Sequence, residues 1–218
     1  MSKLAKFLIL ALTLIFSTPS VAAFAESEAS NSTKLAVGDQ WTYQETNDLT
    51  GTATSMLTIT VTEVASKDFT VRVSAPNTNA SYIMVFDDDW NARVQDQAKF
   101  NPHDGTGIPH DPKIGTTWRT LFSWQDLAKG MDGKGTATGQ CTRNESVTTQ
   151  IGTFATLKCV VTVRAKSRNG GPVVREDEIT TWYAPTTRRW AKREFTTKIR
   201  GRVSEKRTQE IVSFDLKH

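Results

Sequence analysis

Helical periodicity is almost missing from this sequence: beyond position 37 no ten-residue stretch spaces its apolar residues at i, i+3 and i+4. Helix bundles and α/β layouts, which need amphipathic helices, are thereby excluded. Residues that commonly do chemistry are scarce too. The chain has three histidines, one of them the C-terminal His218, and two cysteines. No Gly-x-Ser-x-Gly elbow occurs and the cysteines read as a structural pair, so nucleophilic catalysis finds no footing. No cofactor fingerprint and no nucleic-acid motif is present, so neither a cofactor nor a nucleic-acid partner is expected. A pair of acid and base carboxylates stays open, because spacing along strands does not reveal which side chains converge. The reading is of a non-enzyme.

Long apolar runs are also lacking, with one exception. Lys3 and Lys6 precede FLILALTLIF (7–16), and Ala23-Phe24-Ala25 follows before Glu26. This is the three-part pattern of an export signal, and the run is too short for a permanent membrane anchor. With no cysteine near the cleavage point to take a lipid, the expectation is a signal peptide over 1–25, a disordered lead-in over 26–35 and one β domain over 36–218. The 193 residues after the signal would be periplasmic or secreted, and soluble. Their charge is uneven: residues 26–157 carry 10 basic and 16 acidic side chains, whereas 158–218 carry 15 and 7. That asymmetry fits an anionic surface or an envelope protein as partner, and equally strands that use Lys and Arg against edge pairing.

What is present is alternation. Leu57, Ile59 and Val61 alternate with Thr58, Thr60 and Thr62, and Phe69, Val71 and Val73 repeat the pattern. VGDQWTYQET (37–46), ASYIMVFDDDWNARV (80–94), IGTTWRTLFSW (114–124) and three segments after 173 add further strands, about ten in all. QDLAKGMDGKG (125–135) reads as a flexible link and DQAKFNPHDGTGIPHDPK (96–113) as a long loop. The clearest hairpin is 141–163: Ala155, Leu157, Cys159, Val161 and Val163 share one face, and Gly152 suits the turn. Partners summing to 300 set Cys141 opposite Cys159, which predicts a disulfide, the other reading being two buried thiols. The same register turns Arg143 and Glu145 inward, as an ion pair at the hairpin mouth or as a ligand contact. Two matches in order, Val37-Gly38-x-x-Trp41 with Ile114-Gly115-x-x-Trp118 and Trp90-x-x-Arg93 with Trp190-x-x-Arg193, together with Gly51–Thr54 and Gly135–Thr138, suggest two similar halves, about 36–100 and 113–216. The fold class is all-β: an antiparallel meander forming a strongly curved sheet, half-barrel or barrel.

Two copies of Pro-His-Asp in the long loop place His103, Asp104, His110 and Asp111 within reach of a divalent ion; the tripeptide suits turns equally well. Asp87-Asp88-Asp89 lacks the glycine and distal glutamate of a calcium loop and reads as a solvated turn.

Gly38-Asp39-Gln40-Trp41-Thr42-Tyr43, Gly152-Thr153-Phe154 and Trp182-Tyr183-Ala184-Pro185 leading to Lys192-Arg193-Glu194 together resemble a family of uncharacterised periplasmic proteins related in architecture to the LolA and LolB lipoprotein carriers. The glycine turn usual after Tyr-Ala-Pro is replaced by Thr186-Thr187-Arg188-Arg189. The resemblance implies a curved sheet whose concave face holds an apolar group, and no activity. The expected function is a binding or carrier module for a hydrophobic or amphipathic envelope ligand, with Trp41, Tyr43, Trp118, Arg143, Glu145 and Arg193 as contacts. The rival is an envelope interaction protein that binds polyanions or a protein partner through its basic C-terminal strands.

Overall fold

The computed structural model describes residues 34–75, 78–168 and 174–217; the expected signal peptide and most of the lead-in lie outside them. Twelve strands follow one another: β1 (Gln40–Asn47), β2 (Thr52–Val64), β3 (Asp68–Ala75), β4 (Ala80–Asp87), β5 (Ala92–Gln95), β6 (Ala98–Asn101), β7 (Thr117–Asp126), β8 (Met131–Thr149), β9 (Gly152–Ser167), β10 (Val174–Ala184), β11 (Arg189–Ile199) and β12 (Arg202–Asp215). Each pairs antiparallel with the next, and β12 returns to β1 to close a barrel. Closure leaves no free edge along the sheet, the general hazard of β proteins. Pro185–Thr187 forms one 3-10 turn, the only helical element among the described residues.

The alternation read from the sequence decides which face is inside. Trp41, Tyr43, Val61, Val71, Val73 and Ile211 are buried together in the interior, joined by Phe69, Phe86 and Trp190. Fully burying a large apolar side chain contributes roughly 1.5–3 kcal/mol, so this cluster is a main source of stability. Thr58, Thr60 and Thr62 take the other face of β2. A membrane-spanning barrel has the reverse arrangement, apolar outside and polar within.

The two halves suggested by the sequence correspond to six strands each, β1–β6 and β7–β12. Gly38 before β1 and Gly115 before β7 both have positive φ, 94° and 90°. Trp90 and Trp190 stand at the start of the fifth strand of each half, and their rings meet inside the barrel 6.1 Å apart. The third match is not equivalent: Gly51 lies in a turn, whereas Gly135 lies within β8.

The segment 125–135 is not a flexible link, since β8 already begins at Met131. Its glycines stand directly opposite aromatic residues of β7: Gly133 against Trp124, Gly135 against Phe122 and Gly139 against Trp118. Each ring packs directly against its glycine, so close that a Cβ at Gly139 would be 2.1 Å from the Trp118 ring. Strand pairing and ring cover outweigh the poor strand propensity of glycine. The expected long loop is also shorter than 96–113, because β6 forms within it and the loop proper runs from 102 to 116.

In the hairpin of β8 and β9 the register holds as expected from Gly133↔Ser167 to Cys141↔Cys159, and the disulfide is present. It then shifts, with Arg143 opposite Lys158, so that Thr142 is an extra, bulged residue. A bulge reverses which side the following residues face. Leu157, packed inside with Cys141 and Cys159, now faces Asn144 across the ladder. The expectation that Arg143 and Glu145 point inward is therefore overturned; they share the outer face with Lys158 and Thr156.

Candidate functional site

The turns 48–51, 96–97, 127–130 and 200–201 gather at one end of the barrel; 65–67, 88–91, 150–151, 185–188 and the loop 102–116 gather at the other. Asp39 ties the second end together. Fully buried, it accepts the Ala36 and Lys217 amides and an N–H from Arg188. Leu35, within the expected lead-in, packs against the core there.

The loop after β6 dips into the barrel and blocks it. Asp104 docks on the start of β5: its main-chain N–H donates to the Ala92 carbonyl, and its carboxylate accepts the Ala92 amide at 2.8 Å. Gly105 passes so close to Thr120 and Ala137 that a Cβ would lie 2.7 Å from each. Gly107 is tighter still, its missing Cβ 2.0 Å from the Asp89 carbonyl oxygen, and its amide donates to Asn91 Oδ1. Trp118 Nε1 donates to the Gly105 carbonyl and Arg193 Nη2 to that of Thr106. Small residues let the backbone run where side chains would fill the lumen.

Below this crossing lies a cavity of about 930 Å³. It reaches from Asp104, Thr106 and Arg193 down to Gln97, Ala128 and Ile199 at the first end. Its wall is mainly apolar: Leu57, Met84, Phe100, Phe122, Val163, Ile179 and Phe195 line it. A second pocket of about 720 Å³ lies at the loop end, between residues 108–112 and the tip of the β8–β9 hairpin.

The cations of the large cavity differ in how they are met. Arg207 donates to Glu45 and pairs with Glu205. Arg175 is held by Asp177 and Lys129 by Asp126. Arg193, 8% exposed, has the Thr106 carbonyl and the nearby charge of Asp104, while its Nε is unpaired. Arg189, 2% exposed, has no carboxylate and no carbonyl among the described residues, and its Nε and Nη1 have no partner. Rings surround it instead: the guanidinium carbon is 3.9 Å from the centre of Trp190, 4.1 Å from Trp90, 5.4 Å from Trp41 and 5.6 Å from Tyr43. Burial pushes Arg189 down to about 9 and Arg193 to about 10, in each case the dominant cause. Both therefore stay charged at neutral pH. Burial also raises the Asp104 carboxyl against the lowering effect of its bonds to Thr106 and Ala92. A bulge at Ala191 sets this up, since it buries Arg189, Trp190 and Ala191 in succession.

Of the residues expected to touch a ligand, Arg193 lines the cavity. Trp41 and Tyr43 are fully buried and sit behind it, their polar ends donating to the Thr187 and Trp190 carbonyls. Trp118 anchors the crossing loop. Arg143 is exposed on the outer face, and Glu145 beside it lines the second pocket, accepts from Trp182 Nε1 and neighbours Lys158, which covers the Trp182 ring. The candidate metal ligands separate: Asp104 faces inward, His103 accepts the Gly105 amide, and His110 and Asp111 are exposed, Asp111 beside Lys113. No group of three or more His, Cys, Asp or Glu able to hold a metal occurs among the described residues. Asp87 spends its carboxylate on Asp89 and Asn91 of its own turn. The basic C-terminal strands carry their outer cations in pairs, such as Arg164 with Glu176 and Lys192 with Glu194 and Glu210. Arg189 and Trp190 escaped the sequence reading. The available signal was the apolar-facing odd positions Arg193, Phe195 and Thr197 of β11 against Lys192, Glu194 and Lys198; Arg189 and Trp190 lie beyond the bulge at Ala191, which alternation does not foresee.

No protein-family model and no curated protein sequence matches the chain. Two solved structures are similar to it. One is a protein inferred to be exported, with a YmcC-like fold, from Bacteroides fragilis; it is 12% identical over 83% of this chain and 97% of its own, with a TM-score of 0.52. The other is the hypothetical lipoprotein YmcC from Escherichia coli, 9% identical over 81% of this chain and 84% of its own, with a TM-score of 0.46. At such identity the first likeness shows a shared fold. The chain has a YmcC-like fold, distinct from the LolA and LolB carriers to which the family resembled in sequence is related in architecture.

Proposed function

We propose that the protein is a binding and carrier module of the cell envelope, holding an apolar or amphipathic molecule inside the barrel. The observation that carries this reading is the cavity of about 930 Å³, walled by aliphatic and aromatic side chains and reaching one barrel end. Small-molecule sites have volumes of roughly 300–1,000 Å³, mainly apolar walls and a few fixed polar groups. The loop crossing explains why a cavity persists: it closes the barrel at one side by backbone, leaving the other side for a guest. An envelope location is supported by the export signal read in the sequence and by the exported relative of the same fold.

Titrating the mature chain with fatty acids, phospholipids and lipopeptides, with tryptophan emission as readout, tests the proposal. A saturable response is expected in the wild type and its loss in Ala165→Trp, which fills the cavity wall. No saturable response to any of the panel would refute it. The rival reading, an outer surface for polyanions, is less well supported, because several of its cations, Arg164 and Lys192 among them, already have carboxylate partners.

A further inference from the structure

We infer that the cavity guest is an amphipathic anion, whose oxyanion head sits on Arg189 and Arg193 beneath the crossing loop and whose apolar body points toward the barrel end of Gln97, Ala128 and Ile199. This rests on the binding reading above and adds the chemical class of the ligand.

Three neighbouring side chains of β11 carry buried donors beside the head of the cavity: Arg189 Nε and Nη1, Arg193 Nε and Trp190 Nε1 have no hydrogen-bond partner among the described residues. All three residues line the cavity. Donors alone cannot satisfy one another; they require an acceptor. Three of these four donors belong to two buried cations, and a buried cation requires a counter-charge as well as hydrogen bonds. The barrel supplies counter-charge elsewhere with care, giving Glu45 to Arg207 and Asp177 to Arg175. At Arg189 it supplies only ring faces, which hold a guanidinium in place without neutralising it. The planar fork of an arginine matches the two oxygens of a carboxylate or phosphate. Asp104 is the sole carboxylate among the head residues named here, and it is occupied by Thr106 and Ala92. Below, Phe122, Val163, Ile179 and Phe195 offer the apolar body its wall. The rings cover part of Arg189, so seating an oxygen there turns Trp190 or Trp90, and tryptophan emission reports the event.

The test compares dodecanoate, dodecyl phosphate and dodecan-1-ol, each below its micelle threshold, on the mature wild-type chain and on Arg189→Met. A charge-assisted hydrogen bond is worth about a tenfold affinity or more. Wild type is expected to bind both anions at least about tenfold more tightly than the alcohol. In Arg189→Met the anions should fall to within about threefold of the alcohol, whose own affinity changes little. A readout without any variant is acidification: the dodecanoate advantage disappears as that acid takes up its proton, while dodecyl phosphate keeps its own. Equal binding of alcohol and anions in wild type, or an anion preference unchanged in Arg189→Met, would overturn the anion assignment and leave the carrier reading standing. Failure of all three probes to saturate would overturn the carrier reading, and the assignment with it.

Discussion

Replacing Arg189 by methionine is expected to make the ligand-free protein more stable. The residue is 2% exposed and has no carboxylate partner among the described residues, and burial lowers its guanidinium to about 9. That is roughly three to four pH units below the ordinary arginine range, which at 1.36 kcal/mol per unit corresponds to about 5 kcal/mol against the charged form. The surrounding rings return part of this, about 0.5–2 kcal/mol for a desolvated cation–π contact. Methionine fills much the same volume with a flexible apolar chain. The net gain should be about 1–3 kcal/mol, or about 3–10 °C in Tm for a barrel of this size. Calorimetry of both proteins at pH 7 measures it. The pH dependence follows from the same shift. Because the folded value lies below the unfolded one, the penalty is complete below about pH 9 and is relieved as pH rises beyond it, the unfolded chain there binding the extra proton. The stability gap between Arg189→Met and wild type should therefore be constant from pH 6 to 8 and shrink above about pH 9. A variant less stable than wild type at pH 7, or a gap that widens with alkali, would refute the account of Arg189 as an uncompensated charge.

Three further outcomes are expected. Converting Cys141 and Cys159 together to alanine removes a cross-link spanning 18 residues and should cost about 3 kcal/mol, seen as a lower urea midpoint; an unchanged midpoint counts against a stabilising staple. Gly107→Ala forces a Cβ to within 2.0 Å of the Asp89 carbonyl and should cost about 1–3 kcal/mol while speeding amide exchange over 102–116; wild-type exchange in that loop would show that the crossing is not held by close backbone contact. Asp39→Ala strands the Arg188 cation and the Ala36 and Lys217 amides and should cost about 3–5 kcal/mol in thermal unfolding; a loss under about 1 kcal/mol would mean that the terminal tie is unimportant.

Period-two patterning made most of the barrel legible in the sequence. Where every second residue is apolar, as in β2, β3 and β9, face and extent follow from the strand geometry alone. Residue spacing even located Cys141 opposite Cys159. The reading failed where partners from other strands override local preference. Nothing within Met131–Gly139 says strand; the pairing becomes sensible once Trp118, Phe122 and Trp124 of β7 lie over its three glycines. The single extra residue Thr142 shows the limit of register arithmetic, since one bulge exchanged the faces of everything beyond it, Arg143 and Glu145 included.

The site was harder to read because its parts come from distant positions and break the rule that identified the fold. Alternation predicts that an arginine faces water, so Arg189 and Arg193 on an inward face look like errors of pattern rather than signals. Charge segregation along the chain hinted at them, yet it pointed to an outer basic surface, where some cations, such as Arg164 and Lys192, are paired with carboxylates. What separates Arg189 from those pairs is invisible without the closed barrel, which brings Trp41, Trp90 and Tyr43 of the first half around a side chain of the second. The six-plus-six strand plan sets the fifth strands opposite each other, so that Trp90 and Trp190 meet across the lumen and grip the guanidinium between them. A cation so firmly placed, yet given no counter-charge among the described residues while Arg207 and Arg175 beside the same cavity have theirs, is a local conflict of the kind expected at functional sites. An anion bound in the cavity would resolve it.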